Sequence, residues 1–490
     1  MTAFEKLMAF QRETEALGEI VGRLGWDQET MMPKGAAYQR GEEMAAMEGV
    51  LHTRRIDPRL ADWLERSVPQ NDIEKAQLFH IQRSFERANK VPGDLSQALA
   101  RITSVAQGIW AAARHDNKVA DFLPVLSEVI TLKQRESEAL ALGGDLYDAL
   151  IDDYEPNASN ATLSAMFNEM RPRLVALRNA VLGAAHQPVE ISGSFVALDQ
   201  LAIARQLASA FGYEWTRGRL DLAVHPFSSG SGSDVRITTR VVESDPFNCF
   251  YSTVHEVGHA CYEQNINPAF ALTPLGQGVS MGVHESQSRI YENQLGRSRA
   301  FTGWLFDLMK SRFGDFGIHD ADVFYGTVNL VKQGYIRTEA DEVQYNLHVM
   351  LRFDLERALI KGDLVAQDLE AAWNDRFLAD FGFAVDCPAN GMLQDVHWSC
   401  GLFGYFPTYS LGNLYAGCLS NAMAKDLPNL AASLAQGVTA PATDWLRERV
   451  QRHGKMFTPQ EVITKACGKA PSAEPLLSYL ETKFGSIYQL

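Results

Sequence analysis

No uninterrupted apolar stretch approaches the ~18 residues that would suggest a membrane-spanning helix. The N-terminus, Met1-Thr2-Ala3-Phe4-Glu5-Lys6, lacks the basic region and apolar segment of a secretory leader. Cysteine is scarce, with six in 490 residues and no Cys-x-x-Cys pair. Cys249, Cys261, Cys387, Cys400, Cys418 and Cys467 are therefore expected as buried free thiols, not as a disulfide framework. These absences make the cytoplasm the expected location. Positive charge is also in deficit: 45 Lys and Arg stand against 60 Asp and Glu, a formal net charge of −15. An acidic surface repels phosphate backbones, which argues against a nucleic-acid partner and equally against polybasic attachment to a membrane. Repeats and low-complexity tracts are missing too. With 46% hydrophobic residues the chain can bury a large core. Length alone suggests about three domains, but one large helical unit spanning 1–490 fits equally.

Along the first 180 or so residues, amphipathic helices follow one another. Phe4, Leu7, Met8, Leu17, Ile20, Val21 and Leu24 recur at steps of three and four, the spacing of one helix face. Breaks are expected near Met32-Pro33-Lys34-Gly35, Asp57-Pro58, Val91-Pro92-Gly93-Asp94 and Glu155-Pro156-Asn157. Near residue 190 the texture changes. Residues 218–224 and 235–242 read as strands, separated by a polar connection, Ser228-Ser229-Gly230-Ser231-Gly232-Ser233. The expectation is a small antiparallel sheet in an otherwise helical protein. Helices resume at Asp245, with breaks expected near Gly382–Gly391 and Phe406–Gly412.

Asp245-Pro246 is a strong helix start, Asp as N-cap and Pro at the first helical position. On that helix His255 and His259 lie four apart, so both imidazoles leave one face, a turn from each other. One tetrahedral ion can accept two nitrogens so placed at about 2.0 Å. Glu256, rotated to the side, can reach a metal-bound water without ligating the metal, which is the mechanical content of His-Glu-x-x-His. The competing reading is a surface helix with two solvated histidines. Against it stand Asn248, Ser252 and Tyr262, which share the histidine face within an otherwise apolar segment, and buried polar groups need partners. A catalytic zinc takes three protein ligands and keeps a fourth position for water. Glu285, 26 residues after His259, is the candidate third ligand. Ser280 can cap its helix, and a loop rich in Pro and Gly can return that helix antiparallel beside the first. The alternative for Glu285 is an intrahelical pair with Arg289.

His255-Glu256-Val257-Gly258-His259 followed by His284-Glu285-Ser286-Gln287-Ser288-Arg289 resembles the carboxypeptidase Taq family of metallocarboxypeptidases. Further segments fit in order: Leu24-Gly25-Trp26-Asp27-Gln28-Glu29, His225-Pro226-Phe227, Asp234-Val235-Arg236-Ile237-Thr238, Ile336-Arg337-Thr338-Glu339-Ala340-Asp341, Gly391 to Trp398, and Phe403 to Tyr409. The resemblance spans nearly the whole chain. It implies a mainly α, saddle-like peptidase fold with a deep groove and a short sheet beside the metal. The single domain would comprise a helical part to about residue 190 and a catalytic part over about 191–490. It also implies a homodimer that removes single residues from peptide C-termini with one zinc per chain. Cobalt or manganese are the possible substitutes, since ligand type constrains the metal loosely.

On this reading zinc activates water and polarises the scissile carbonyl, while Glu256 serves as general base and then acid. His397, Tyr405 and Tyr409 are candidate donors to the oxyanion, with a core role for each as the alternative. Arg337 and Arg236 are candidates for holding the terminal carboxylate, because a guanidinium offers it two parallel donors. Their alternatives are a helix-surface pair of Arg337 with Asp341 and an exposed strand position for Arg236. His225 either lines a substrate subsite or caps a turn. Asp341 or His348 is a candidate to hydrogen-bond a ligand imidazole. A free edge on strand 235–242 would bind peptide main chain and leave side chains unread, so broad specificity is expected. The rival functions are an endopeptidase or dipeptidyl carboxypeptidase with a similar groove, and a non-catalytic peptide-binding scaffold.

Overall fold

The computed structural model describes residues 1–490. The chain divides into two compact units, neither of them a continuous segment. The first comprises Met1–Ala88, Pro188–Leu330 and Tyr415–Pro471, and the second Asn89–Gln187, Val331–Leu414 and Ser472–Leu490. Both are helical; the first also holds a three-stranded sheet.

Local signals set most helix ends. Thr2 caps the Ala3–Thr30 helix, accepting from Glu5 N while the Glu5 side chain returns to Thr2 N, so two orphan amides are satisfied reciprocally. A short 3₁₀ turn, Lys34–Ala36, separates it from the Ala37–Arg55 helix, where the Pro-Gly signal lies. Pro92 immediately precedes the Gly93–Asp116 helix, and Asp57-Pro58 lies between two helices. The expected break at Phe406–Gly412 is only a start: the Pro407–Asp426 helix runs straight through Gly412. Proline is tolerated at a first helical position because its missing N–H would have no partner there. No helix is long and apolar enough to cross a membrane. All six cysteines are free, with Cys249, Cys261 and Cys418 buried and the others half-buried.

The sheet has the order β1 (Leu220–Leu222), β3 (Asp234–Thr239), β2 (Ser228–Ser231). Two expectations need correction here. The serine-rich connection is itself a strand, pairing antiparallel with β3 in the register Ser228↔Ile237 and Ser231↔Asp234. Gly230 permits it: its φ is +99°, and a Cβ there would meet Asp234 O at 1.9 Å. The sheet is also mixed, because β1 pairs parallel with β3, Leu220 opposite Ile237. With partners on both sides, β3 has no free edge for a peptide. Only β1 and β2 are edge strands, so strand addition along β3, residues 234–239, is excluded.

Residues of the N-terminal helix hold this sheet. Trp26, buried, lies beneath the Arg236 and Arg219 guanidinium groups at 4.5 and 5.1 Å from its ring centre. Arg23 pairs with Asp234 at 3.0 Å, and Ser231 donates to Glu19 at 2.6 Å. In the second unit, Phe353 on the Tyr345–Lys361 helix packs edge-on against Phe167 and Tyr147.

Candidate metal centre

The Pro246–Asn265 helix starts as its sequence requires, with Asp245 accepting from Phe247 N and Pro246 in the first position. After a loop, Ser280 accepts from Val283 N and starts a second helix, Met281–Arg289. The two helices approach closely at Gly258. A Cβ on this residue would stand 2.6 Å from both Gln287 O and Ser288 Cα, so only glycine lets the second backbone lie so near. That approach carries Glu285 to the histidine face. His259 Nε2 is 3.4 Å and His255 Nε2 3.8 Å from Glu285 Oε2, and the three ligand atoms lie within 4.8 Å of one another. Ligands at about 2.0–2.1 Å on a tetrahedral ion are separated by about 3.3 Å. The observed spacing therefore fits one divalent ion.

The surroundings hold this arrangement in place. Glu285 does not choose between its two sequence readings: Oε1 accepts from Arg289 Nε at 2.7 Å while Oε2 faces the imidazoles. Beyond Arg289 the helix widens into a π-helical stretch, Ile290–Gly296, a rare form that concentrates at functional sites. It carries Glu292, whose Oε2 lies 2.9 Å from His255 Nδ1. Arg289 and Arg297 neutralise Glu292 at 3.3 and 3.4 Å. On the other side, His259 Nδ1 meets His284 Nδ1 at 2.6 Å, and His284 Nε2 meets Glu263 Oε1 at 3.0 Å.

Burial and charge set the protonation of the cluster. Burial lowers the His259 imidazolium to about 3, so the ring is neutral and has a nitrogen lone pair to offer. Burial also opposes charge on His255, but Glu285 and Glu292 outweigh it and leave the pKa above the ordinary value. A bound dication would override that preference by repelling the second proton. For Glu285, Arg289 and the two histidines overcome burial and hold the carboxylate well below the usual range. Glu256 is buried with no hydrogen bond to hold it, and desolvation raises it to about 7.

The sequence profile of the family described as carboxypeptidase Taq (M32) metallopeptidase matches residues 6–484. The chain belongs to this family. The thermostable carboxypeptidase 1 of Thermus thermophilus is 40% identical over 505 aligned positions covering 99% of each chain, and that of Pyrococcus furiosus is 33% identical over 98% of each. The M32 carboxypeptidase of Deinococcus radiodurans R1 superposes with a TM-score of 0.96 at 36% identity over the whole of both chains. The chain is thus a metallocarboxypeptidase by family, and its donor set suits a divalent metal.

Within this M32 chain the other candidate residues fall into separate clusters. In the second unit, His397 Nε2 lies 3.2 Å from Tyr409 OH, and Tyr405 packs against both rings. Burial, reinforced by Arg337 and Arg352, lowers His397 to about 3 despite Asp395, so its ring is neutral. Arg337 is itself buried at the start of a 3₁₀ turn whose other two residues are exposed, and it does not pair with Asp341. Its Nε and Nη2 donate to Asp395 Oδ1 at 3.1 and 2.8 Å, and its Nη1 donates to Tyr345 OH at 3.1 Å. Arg236, on β3, is held by Asp234 and stacks on Trp26. His225 is exposed in the connection between β1 and β2.

Asp341 and His348 do not support the ligand imidazoles. Asp341 accepts from Val343 N and Gln344 N ahead of the Tyr345–Lys361 helix, and His348 packs on Phe381. Glu292 and His284 take that place. The sequence held a partial signal: Glu263 follows His259 by four residues on one face, and Glu292 follows Glu285 by seven. The π-helical widening that aims Glu292 had no such mark.

Proposed function

We propose that the chain is a zinc carboxypeptidase that removes single residues from peptide C-termini, with His255, His259 and Glu285 as the metal ligands. The observation that carries this reading is the convergence of two imidazole nitrogens on one carboxylate oxygen, beside a buried glutamate that no hydrogen bond holds. Two nitrogens and one oxygen suit zinc, with cobalt or manganese as substitutes. Bound there, zinc would supply Lewis-acid polarisation of the scissile carbonyl and acidify the attacking water.

The protein's own residues supply the rest. Glu256 takes a proton from the attacking water at its carboxylate oxygen and delivers it to the leaving amine nitrogen. His397 and Tyr409 are proposed as donors to the oxyanion, and a neutral His397 in contact with a tyrosine hydroxyl suits that role. Arg337 and Arg236 are proposed to recognise the terminal carboxylate, and His225 to contact substrate. A homodimeric state, implied by the family resemblance, and a cytoplasmic location, suggested by the composition, complete the proposal; broad specificity loses its support with the free strand edge.

Incubating a long peptide and weighing its products tests the reading directly. A ladder of single-residue losses from the C-terminus is expected. Internal fragments or losses of two residues would instead assign an endopeptidase or dipeptidyl carboxypeptidase. Glu256→Gln should retain one zinc per chain and lose cleavage by at least about 100-fold, as removal of a general base does. Cleavage by the variant at the wild-type rate would refute the mechanism, and a wild type that binds peptide without cutting it would be a scaffold.

A further inference from the structure

The two proposed histidine ligands are backed differently. His255 Nδ1 faces a carboxylate, Glu292, but His259 Nδ1 faces another imidazole, His284. Two ring nitrogens 2.6 Å apart make a hydrogen bond only when one carries a hydrogen and the other a lone pair. The far side of His284 decides which is which. Its Nε2 lies 3.0 Å from Glu263 Oε1, an oxygen that also accepts from Gly278 N, so the geometry puts the hydrogen on that nitrogen. With the ring hydrogen on Nε2, the lone pair of His284 lies on Nδ1, facing His259 Nδ1, which then donates. What remains on His259 is a lone pair on Nε2, the atom 3.4 Å from Glu285 Oε2.

We propose that His284 is a positioning residue for the metal: it accepts the Nδ1–H of His259, is itself oriented through Nε2–H by Glu263, and fixes His259 in the tautomer that can ligate. The inference rests on the metal reading above. The surrounding packing shows a built arrangement. Glu263 Oε1 also accepts from Gly278 N at 2.9 Å, and the His259 and His284 rings lie 4.7 Å apart at 37°. A Cβ on Gly278 would stand 2.7 Å from His284 Cδ2 and 3.2 Å from Glu263 Oε1, so the loop closes on the pair with bare backbone. The Tyr262 hydroxyl accepts from Val279 N at 3.1 Å and fixes the same loop. Partners behind a ligand of this kind typically control about 10–100-fold of metal affinity.

The test is zinc affinity, measured by competition with a chelating fluorophore on metal-free protein, for wild type, His284→Leu and His284→Asn. Leucine removes the acceptor, while the asparagine Oδ1 stands near the place of the lost Nδ1. His284→Leu should bind zinc about 10–100-fold more weakly, and His284→Asn should recover most of the loss. Affinity of His284→Leu within twofold of wild type, or no recovery in His284→Asn, would overturn the proposal. A wild type that binds no zinc would instead refute the underlying metal reading. If His284→Leu does not fold, NMR of ¹⁵N-histidine-labelled, zinc-loaded wild type decides alone. Hydrogen on His259 Nδ1 and His284 Nε2 is expected, and hydrogen on His284 Nδ1 would overturn it.

Discussion

All three guanidinium nitrogens of Arg337 are engaged within the protein, two by Asp395 and one by Tyr345. Arg352 reaches the other oxygen of Asp395 at 2.5 Å, so a single carboxylate, 12% exposed, serves two buried cations. Removing one partner from such a group leaves charge uncompensated and typically costs about 3–5 kcal/mol. Arg337→Met should therefore lower the urea midpoint substantially in addition to raising KM. A variant of wild-type stability with only KM changed would mean that the guanidinium is held by substrate and not by Asp395. A second residue gives a pH signature remote from the metal ligands. His80 is half-buried with Nε2 2.7 Å from Lys455 O, and burial lowers it from 6.5 to about 4. Its folded pKa is depressed, so the unfolded chain binds the extra proton between those values. The stabilising contribution is whole above pH 6.5 and is lost as pH falls through about 4, up to about 3 kcal/mol. His80→Gln keeps an N–H for Lys455 O, so the fall in urea midpoint between pH 7 and pH 4 should be shallower in the variant. Equal slopes would show that His80 is as solvated folded as unfolded.

At the scale of elements, the sequence was most informative where structure is set locally. Asp245-Pro246 and Ser280 begin the two ligand helices because capping needs only the residues next to the helix end. The sheet was read less well because strand pairing is a long-range matter. Ser228–Ser231 has no apolar alternation to reveal it, and the parallel partnership of β1 with β3 joins residues 17 apart in sequence that no local pattern links. Glu285 was legible as a ligand, but its simultaneous bond to Arg289 was not, since one carboxylate can serve two partners through different oxygens. Gly258 is where the elements can be tested. In an unhindered helix, Gly→Ala stabilises by about 1 kcal/mol. Here the new methyl would meet backbone atoms at 2.6 Å, and backbone cannot rotate aside as a side chain can. Gly258→Ala should push the Met281–Arg289 helix outward, weaken zinc binding at least about 10-fold, and destabilise by about 1–3 kcal/mol. An alanine variant that is more stable and binds zinc normally would show that the helices are not in contact at this residue.

Over the whole molecule, the chain passes between the two units five times, so neither can be cut out as a contiguous piece. A division near residue 190 follows the change in sequence texture, yet each unit draws essential contacts from both sides of it. The first unit's sheet rests on Trp26, Arg23 and Glu19 from the N-terminal helix. In the second unit, Tyr147 donates to Glu356 at 2.6 Å, and Arg171 pairs with Asp354 and with buried Asp380. A fragment of residues 191–490 would retain every proposed metal ligand, yet it would lose Trp26 from beneath Arg236 and leave Glu356, Asp354 and Asp380 without these partners. Trp398 and Gly404 still hold Glu356, Arg376 holds Asp380 and Arg357 holds Asp354, so each lost contact typically costs about 1–3 kcal/mol, and the sum is a sizeable part of a typical domain's stability. The fragment should therefore be insoluble or should melt without cooperativity, with no stoichiometric zinc. Co-expression with residues 1–190 should recover a soluble complex that binds zinc. Cooperative unfolding and full zinc binding by the isolated fragment would show that the catalytic part folds independently, and that the N-terminal helices are an addition to it and not a constituent of both cores.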